Sequence, residues 1–228
     1  CCPATDTAVK ALFAAYTKRM RDEAGIKFQT VVYRYPEADH EGIISVENKA
    51  AEMEHGLVYW LTGAEAACEV NKTNENRKYS GELTVDTDYT QLQLEEAVQS
   101  GKLMFHKCGD EVRVLMDINS LTSYTDEKGE EFGNNQTVRV LDQIGNDIAS
   151  LFNTRYLGTM PNDASGRVAL WNDIVSYNKE MARMRAIEEV DSKVITVEAG
   201  ASKRSVVVNC PVTPINCMSQ LYMTIVVS

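Results

Sequence analysis

The chain has 228 residues, 44% of them hydrophobic and 25% charged, which is ordinary for a globular protein of one large or two small domains and long enough to bury a substantial core. It holds no run of eighteen apolar residues, so no membrane span is expected, and its opening CCPATDTAV lacks the basic-then-apolar order of a secretory leader. A net charge of −10 and a pI near 4.9 repel phosphate backbones and set nucleic acid aside as a partner; the two basic stretches, 72–78 and 202–204, read as solvated loops.

In chain order, Thr5 or Asp6 caps a first helix with Val9, Leu12, Phe13, Tyr16 and Met20 on one face, and Gly25 stops it. Residues 28–35 read as a strand and 43–46 as a shorter one, a helix-then-strand order that suggests a crossover unit. A helix that opens such a unit normally follows a strand, and most of that strand is missing, so the chain is expected to be an internal fragment. Residues 48–71 hold one or two helices, of which the small-residue-rich 60–71 can pack closely on a neighbour. A polar turn at 72–81 and a strand at 82–85 follow, then a helix capped by Asp88 with Leu92, Leu94, Ala97 and Val98, ending at Gly101. Residues 102–107 and 111–118 flank Cys108-Gly109-Asp110 as a β-hairpin.

The most informative stretch is 117–187. After DINSLTSYTDEKG at 117–129, Val138, Leu141, Ile144, Ile148, Leu151 and Phe152 recur at helical spacing, with Asp142 and Asp147 off the stripe. Beyond a short Gly158/Pro161 connection, Asn162 or Asp163 caps a second helix, from about 165 to 187, with Val168, Trp171, Ile174, Val175, Met181 and Met184 on its apolar side. Two helices so joined are expected to pack on a common surface. Residues 193–198, 205–209 and 221–227 are β-branched and bounded by turn residues. In the last of these Leu221, Met223, Ile225 and Val227 face one way and Tyr222, Thr224 and Val226 the other.

No catalytic constellation stands out. His40 lies between Asp39 and Glu41 and reads as a solvated loop residue, His106 falls in a strand, and neither they nor His55 sit in a metalloprotease or nucleophile-elbow pattern. GTMPND at 158–163 lacks the ending of a phosphate loop. Asp117, Asp126, Glu127, Glu130 and Glu131 crowd one loop, but the calcium-loop spacing is absent. Six cysteines, at 1, 2, 68, 108, 210 and 217, show neither C-x-x-C nor zinc spacing and are expected to be reduced thiols. No catalytic, cofactor or metal residue is therefore expected. The charged face of the second helix, Lys179, Glu180, Arg183 and Arg185, is a solvated face or a docking face for another protein. The terminal strand 221–227 is a hazard for aggregation unless paired, either in its own sheet or in a neighbour's.

Three ordered segments, DINSLTSYTDEKG, TVRVLDQIGNDI at 137–148 and GTMPNDASGRVALWNDIVSY at 158–177, resemble the C-terminal part of contractile tail sheath proteins. These occur in myophages and phage-tail-like bacteriocins, here of the type found in Gram-positive hosts. The tryptophan-containing helix at 60–71 extends the likeness upstream, so it covers roughly residue 5 to the end. The resemblance implies an α/β fold, a mixed sheet flanked by helices with a C-terminal β-strand extension. It divides the chain into part of the sheath core at 1–118, a helical pair and following strand at 119–200, and strands with an assembly arm at 201–228. It further implies a non-enzymatic subunit that stacks as hexameric rings around a tail tube and contracts to drive the tube through an envelope. The implied sites are strand exchange between subunits through Leu221, Tyr222, Met223, Thr224, Ile225, Val226 and Val227, and a tube- or neighbour-facing role for Lys179, Glu180, Arg183 and Arg185. The family's N-terminal arm is not present, so the isolated chain is expected to be a monomer or small oligomer. The rival readings are a small-molecule-binding α/β enzyme, which predicts a deep polar pocket at a strand's C-terminal end, and a secreted adhesin module with disulfides among Cys68, Cys108, Cys210 and Cys217.

Overall fold

A computed structural model describes residues 1–226. Its centre is a three-stranded parallel sheet of β1 (Thr30–Tyr33), β2 (Ile43–Val46) and β3 (Lys102–Leu103), in that order. All residues of β1 and β2 are buried, as expected of strands covered on both faces. Val31, Tyr33, Ile44 and Val46 meet Leu57, Val58 and Leu61 of α2 (Leu57–Ala66). Val32 and Ile43 meet Ala14 of α1 (Thr7–Asp22) on the other side. Cys2 adds a single parallel bridge beside Val32. The mixed α/β character read from the sequence is the fold observed.

The face that α1 turns inward is not the apolar stripe. Leu12 is 69% and Tyr16 57% exposed, and Val9 and Phe13 are exposed too, while Lys10, Ala14, Thr17 and Arg21 are buried. The sheet surface beneath supplies the reason. Thr30 projects toward α1 and its hydroxyl lies 2.7 Å from that of Thr17; the Arg34 carbonyl accepts from Lys10 Nζ at 3.0 Å and the Phe28 carbonyl from Arg21 Nη1 at 2.7 Å. A helix placed over polar groups that need partners turns its own polar side to them.

Downstream, α3 (Gln91–Gln99) is capped by Thr90, not Asp88, in a capping box with Gln93. Gly101, at φ 68°, lies so close to the Ser120 backbone that a Cβ there would clash. One helix, not two, occupies 48–71, and residues 82–85 contribute only an isolated bridge between Val85 and Ala50. The stretch 102–107 divides: Lys102–Leu103 joins the parallel sheet, and β4 (Phe105–Cys108) pairs antiparallel with β5 (Glu111–Val114). Asn48 causes the switch. Its amide accepts from Phe105 N at 2.7 Å and donates to Phe105 O at 2.8 Å, standing in for a neighbouring strand. Gly109 (φ 61°) opens the two-residue hairpin turn.

The helical pair is α4 (Asn135–Arg155) and α5 (Ala164–Arg183), capped by Asn134 and Asp163. They share an apolar cluster in which Ile148, Leu151 and Phe152 meet Leu170, Ile174 and Val175. Val168 and Met184, expected inward, are exposed. Asp142 and Asp147 are not free: Asp147 accepts from the Tyr177 hydroxyl at 2.8 Å, and Asp142 takes both Arg21 guanidinium nitrogens at 2.5 and 2.9 Å. An antiparallel hairpin, β6 (Thr196–Ala199) with β7 (Val206–Asn209), packs through Val197 and Val206 on α5. Of the strand expected at 193–198, the first two residues fall instead in a 3-10 turn, Ser192–Val194.

Candidate assembly surface

After β7 the chain is tied back across the helical pair. Glu188 N donates to Thr213 O at 2.8 Å and Ile215 N to Ala186 O at 2.9 Å. Gln136, near the start of α4, then holds the backbone on both sides of Asn216: its amide donates to Ile215 O at 3.1 Å and accepts from Cys217 N at 2.9 Å. Past Cys217 the tethering ends. Met218 is fully exposed, and Leu221, Tyr222, Met223, Thr224, Ile225 and Val226 are exposed and form no strand. The polar contact recorded for the tail is local, Tyr222 hydroxyl to Gln220 Oε1 at 2.9 Å. Val227, the last residue of the expected strand, lies outside the described residues. An apolar, β-prone segment therefore leaves a fixed anchor with its backbone unpaired among the described residues.

The β6–β7 hairpin is the complement of such a segment. Its strands pair with each other, so among the described residues each has an outer edge not paired to a further strand. Val207 is 56% exposed, which leaves apolar surface beside the β7 edge.

The charged end of α5 is at the surface. Lys179, Glu180, Arg183 and Arg185 are all exposed, and Arg183 pairs with Glu180 at 2.7 Å. Arg185 is not on the helix, which stops at Arg183 with Met184 as its cap. It adopts φ 61° in a left-handed turn where Arg185 N bonds Ala182 O and Ala186 N bonds Met181 O, a Schellman closure that usually takes glycine.

His40 is buried, not solvated. Its Nε2 lies 3.2 Å from Asp22 Oδ2 and 3.5 Å from Glu41 Oε2, while Nδ1 accepts the Gly42 amide at 2.9 Å. Burial holds the imidazole below its usual pKa against the pull of Glu41 and Asp22. These three are the cluster with the spacing to hold a metal among the described residues. The donor set does not fit one. With Nδ1 taken up as an acceptor, Nε2 carries the hydrogen and cannot ligate, and Glu41 is engaged by Lys128 Nζ at 3.0 Å and by Arg21 at 3.7 Å. At the C-terminal end of β2 a hollow is lined by Glu47, Tyr89, Gln93, Glu96, Ser100 and Lys102, with Lys102 Nζ paired to Glu47 at 3.6 Å. The six cysteines are free thiols, so the disulfide framework of the adhesin reading is not present.

Periodicity misses the polar side of α1, the burial of His40, and that of Asp117, which is fully buried while Asp126 and Glu127 of the same acidic stretch are exposed. The signal for α1 was available. Lys10, Ala14, Thr17 and Arg21 repeat at helical steps as regularly as the apolar stripe does.

Residues 1–120 match the family described as phage tail sheath protein central domain, and residues 127–228 match the phage tail sheath C-terminal domain. The tail sheath protein of Clostridium phage phiCD119 is 27% identical over 90% of this chain and 57% of its own length. The crystal structure of a sheath tail protein from Desulfitobacterium hafniense superposes with a TM-score of 0.84 at 35% identity, covering 93% of this chain and 52% of that one. A sheath tail protein from Listeria innocua gives 0.86 at 32% identity, covering 94% and 52%. The chain thus spans little more than half the length of these relatives. With both parts of the sequence matched in order and the fold shared along its length, the chain belongs to the phage tail sheath protein family.

Proposed function

We propose that this chain is the sheath-forming part of a structural subunit of a contractile tail, in a virion or a phage-tail-like particle assembled in the bacterial cytoplasm. Subunits stack as hexameric rings around a tail tube, and the sheath contracts to drive the tube through a cell envelope. Residues 1–118 serve as core, 119–200 carry the helical pair, and 201–228 form the assembly arm. Such a polymer is an open-ended, heterologous assembly, and its two states are alternative packings of nearly rigid subunits. Lys179, Glu180, Arg183 and Arg185 face the tube or a neighbouring subunit. Alone, the chain is a monomer or small oligomer, and sedimentation measures this directly.

One observation carries the reading: an anchored chain that frees its apolar tail at Met218 while a hairpin on the same molecule keeps edges not paired to a further strand among the described residues. Addition of residues 221–227 of one copy beside the β6–β7 hairpin of another satisfies both, with main-chain hydrogen bonds as the link. The test is disulfide trapping in assembled sheath particles carrying Val207→Cys and Ile225→Cys. Peptide mass spectrometry is expected to find the two cysteines joined between subunits. A bond within one subunit, or none under oxidation, refutes strand donation at this edge.

A further inference from the structure

Beneath α2, two carboxylates share one cation. Arg139 of α4 reaches Glu65 of α2 at 2.5 Å and Asp117 at 3.4 Å, and its other nitrogen donates to Lys72 O at 2.8 Å. The two acids are served unequally. Asp117 accepts from Asn74 N at 2.9 Å, Thr73 Oγ1 at 3.0 Å and Asn135 Nδ2 at 2.8 Å. Glu65 has Arg139 on one oxygen, while its Oε1 is buried with no hydrogen-bond partner, as is the nearby side-chain Nδ2 of Asn74. The other groups around the cluster are Cys68, just past the end of α2, and Glu75 and Arg77 on the 72–78 loop. Arg77 is spent on Ala64 O and Asn74 Oδ1. One guanidinium cannot neutralise two buried carboxylates, so a charge-balanced cluster takes up one proton, and the under-served Glu65 is where it goes.

We propose that Glu65 holds a proton in the folded chain at neutral pH, and that this proton is a latch seating α2 and the 72–78 loop on α4, released by alkali. The latch joins the two parts of the chain that match separate sheath domains, since Glu65 and Asp117 lie in the first and Arg139 in the second. It stands independently of strand donation. Burial, and then the charge of Asp117, push the Glu65 carboxyl up to about 8, against the opposing pull of Arg139. The folded value lies above the usual 4.5, so the stabilisation is complete below pH 4.5 and is lost as pH rises through about 8. On release the proton goes to solvent and leaves two anions on one cation, which favours separation of α2 from α4.

The test is a carbon-13 NMR titration of the intact chain with labelled glutamate, Glu65 being assigned by through-bond connectivity. The expected result is a Glu65 carboxyl with a midpoint near 8, a proton affinity on the order of a thousandfold above that of a solvated glutamate. Amide exchange at 65–78 should rise across the same step, beyond the tenfold per pH unit of base catalysis. Glu65→Gln, neutral at every pH, should remove the step in exchange. A Glu65 midpoint between 4 and 5 overturns the protonated state. A midpoint near 8 with no change in exchange at 65–78 overturns the latch. Both readings come from the unmodified chain, so they hold even if Glu65→Gln fails to fold.

Discussion

Arg139 and Asp142 stand three residues apart on α4 and bind it to two different elements. Arg139 reaches Glu65 on α2, and Asp142 takes a two-pronged grip from Arg21 on α1. Both partners of the second pair are largely buried, at 3% and 14% side-chain exposure. Breaking such a pair strands a charge, which costs more than the intact pair contributes. Asp142→Asn is therefore expected to destabilise the chain by about 3 kcal/mol, read from chemical denaturation. The double change Arg21→Leu with Asp142→Leu should cost less than Asp142→Asn alone. A loss under about 1 kcal/mol for Asp142→Asn would mean that Arg21 is satisfied elsewhere, for example by Glu41 at 3.7 Å.

The inversion of α1 makes a second expectation that hydrophobicity alone would reverse. Leu12→Ser removes an exposed side chain and should leave stability within about 0.5 kcal/mol of the parent. Thr17→Ile would bring a larger apolar group against the Thr30 hydroxyl, leaving it without its partner at 2.7 Å, and should cost about 2 kcal/mol. Equilibrium unfolding of the two variants side by side decides which face packs on the sheet.

That helix also shows where reading the sequence stopped. The existence of α4, α5, β1, β2 and the β4–β5 hairpin follows from local pattern and turn chemistry, and Asp6, Asp163 and Gly109 mark ends where a side chain or a positive φ is needed within a few residues. Which of two helical stripes on α1 is buried depends on what lies under it. Thr30 and the carbonyls of Phe28 and Arg34 are brought there by the sheet, not by α1's own periodicity. His40 and Asp117 share this property. Their partners Asp22, Asn74, Asn135 and Arg139 are distant in sequence, so no local window shows that these charges are enclosed. The tail was legible as β-prone, and its unpaired state came only with the anchor at Cys217.

Arg185 gives a stabilising change. A non-glycine residue at φ 61° is strained, and its backbone position is fixed by the two closing bonds of the helix end. Arg185→Gly relieves that strain at the cost of a more flexible unfolded chain, for a net gain of about 0.5 kcal/mol. The denaturation midpoint should move up with an unchanged slope. An unchanged or lower midpoint would show that the Arg185 side chain contributes contacts to the fold that outweigh the strain.

Removal of the tail separates folding from assembly. Residues 218–226 are all exposed, Leu221 and Tyr222 at 84% and 88%, and the Gln136 tether closes before them. A chain ending at Cys217 should therefore keep the parent's unfolding free energy within about 0.5 kcal/mol. If the tail is lent to a neighbour, the same truncation should abolish sheath formation in particle-producing cells, seen as bare tubes by electron microscopy. A chain ending at Thr213 loses the tether as well, since Ile215 and Cys217 no longer reach Ala186 and Gln136, and should be destabilised by about 2 kcal/mol for the backbone bonds removed. Loss of stability at both endpoints alike would mean that the tail packs on its own subunit. Loss only at the second places the boundary between fold and assembly arm at Cys217, where the backbone bonds to Gln136 stop.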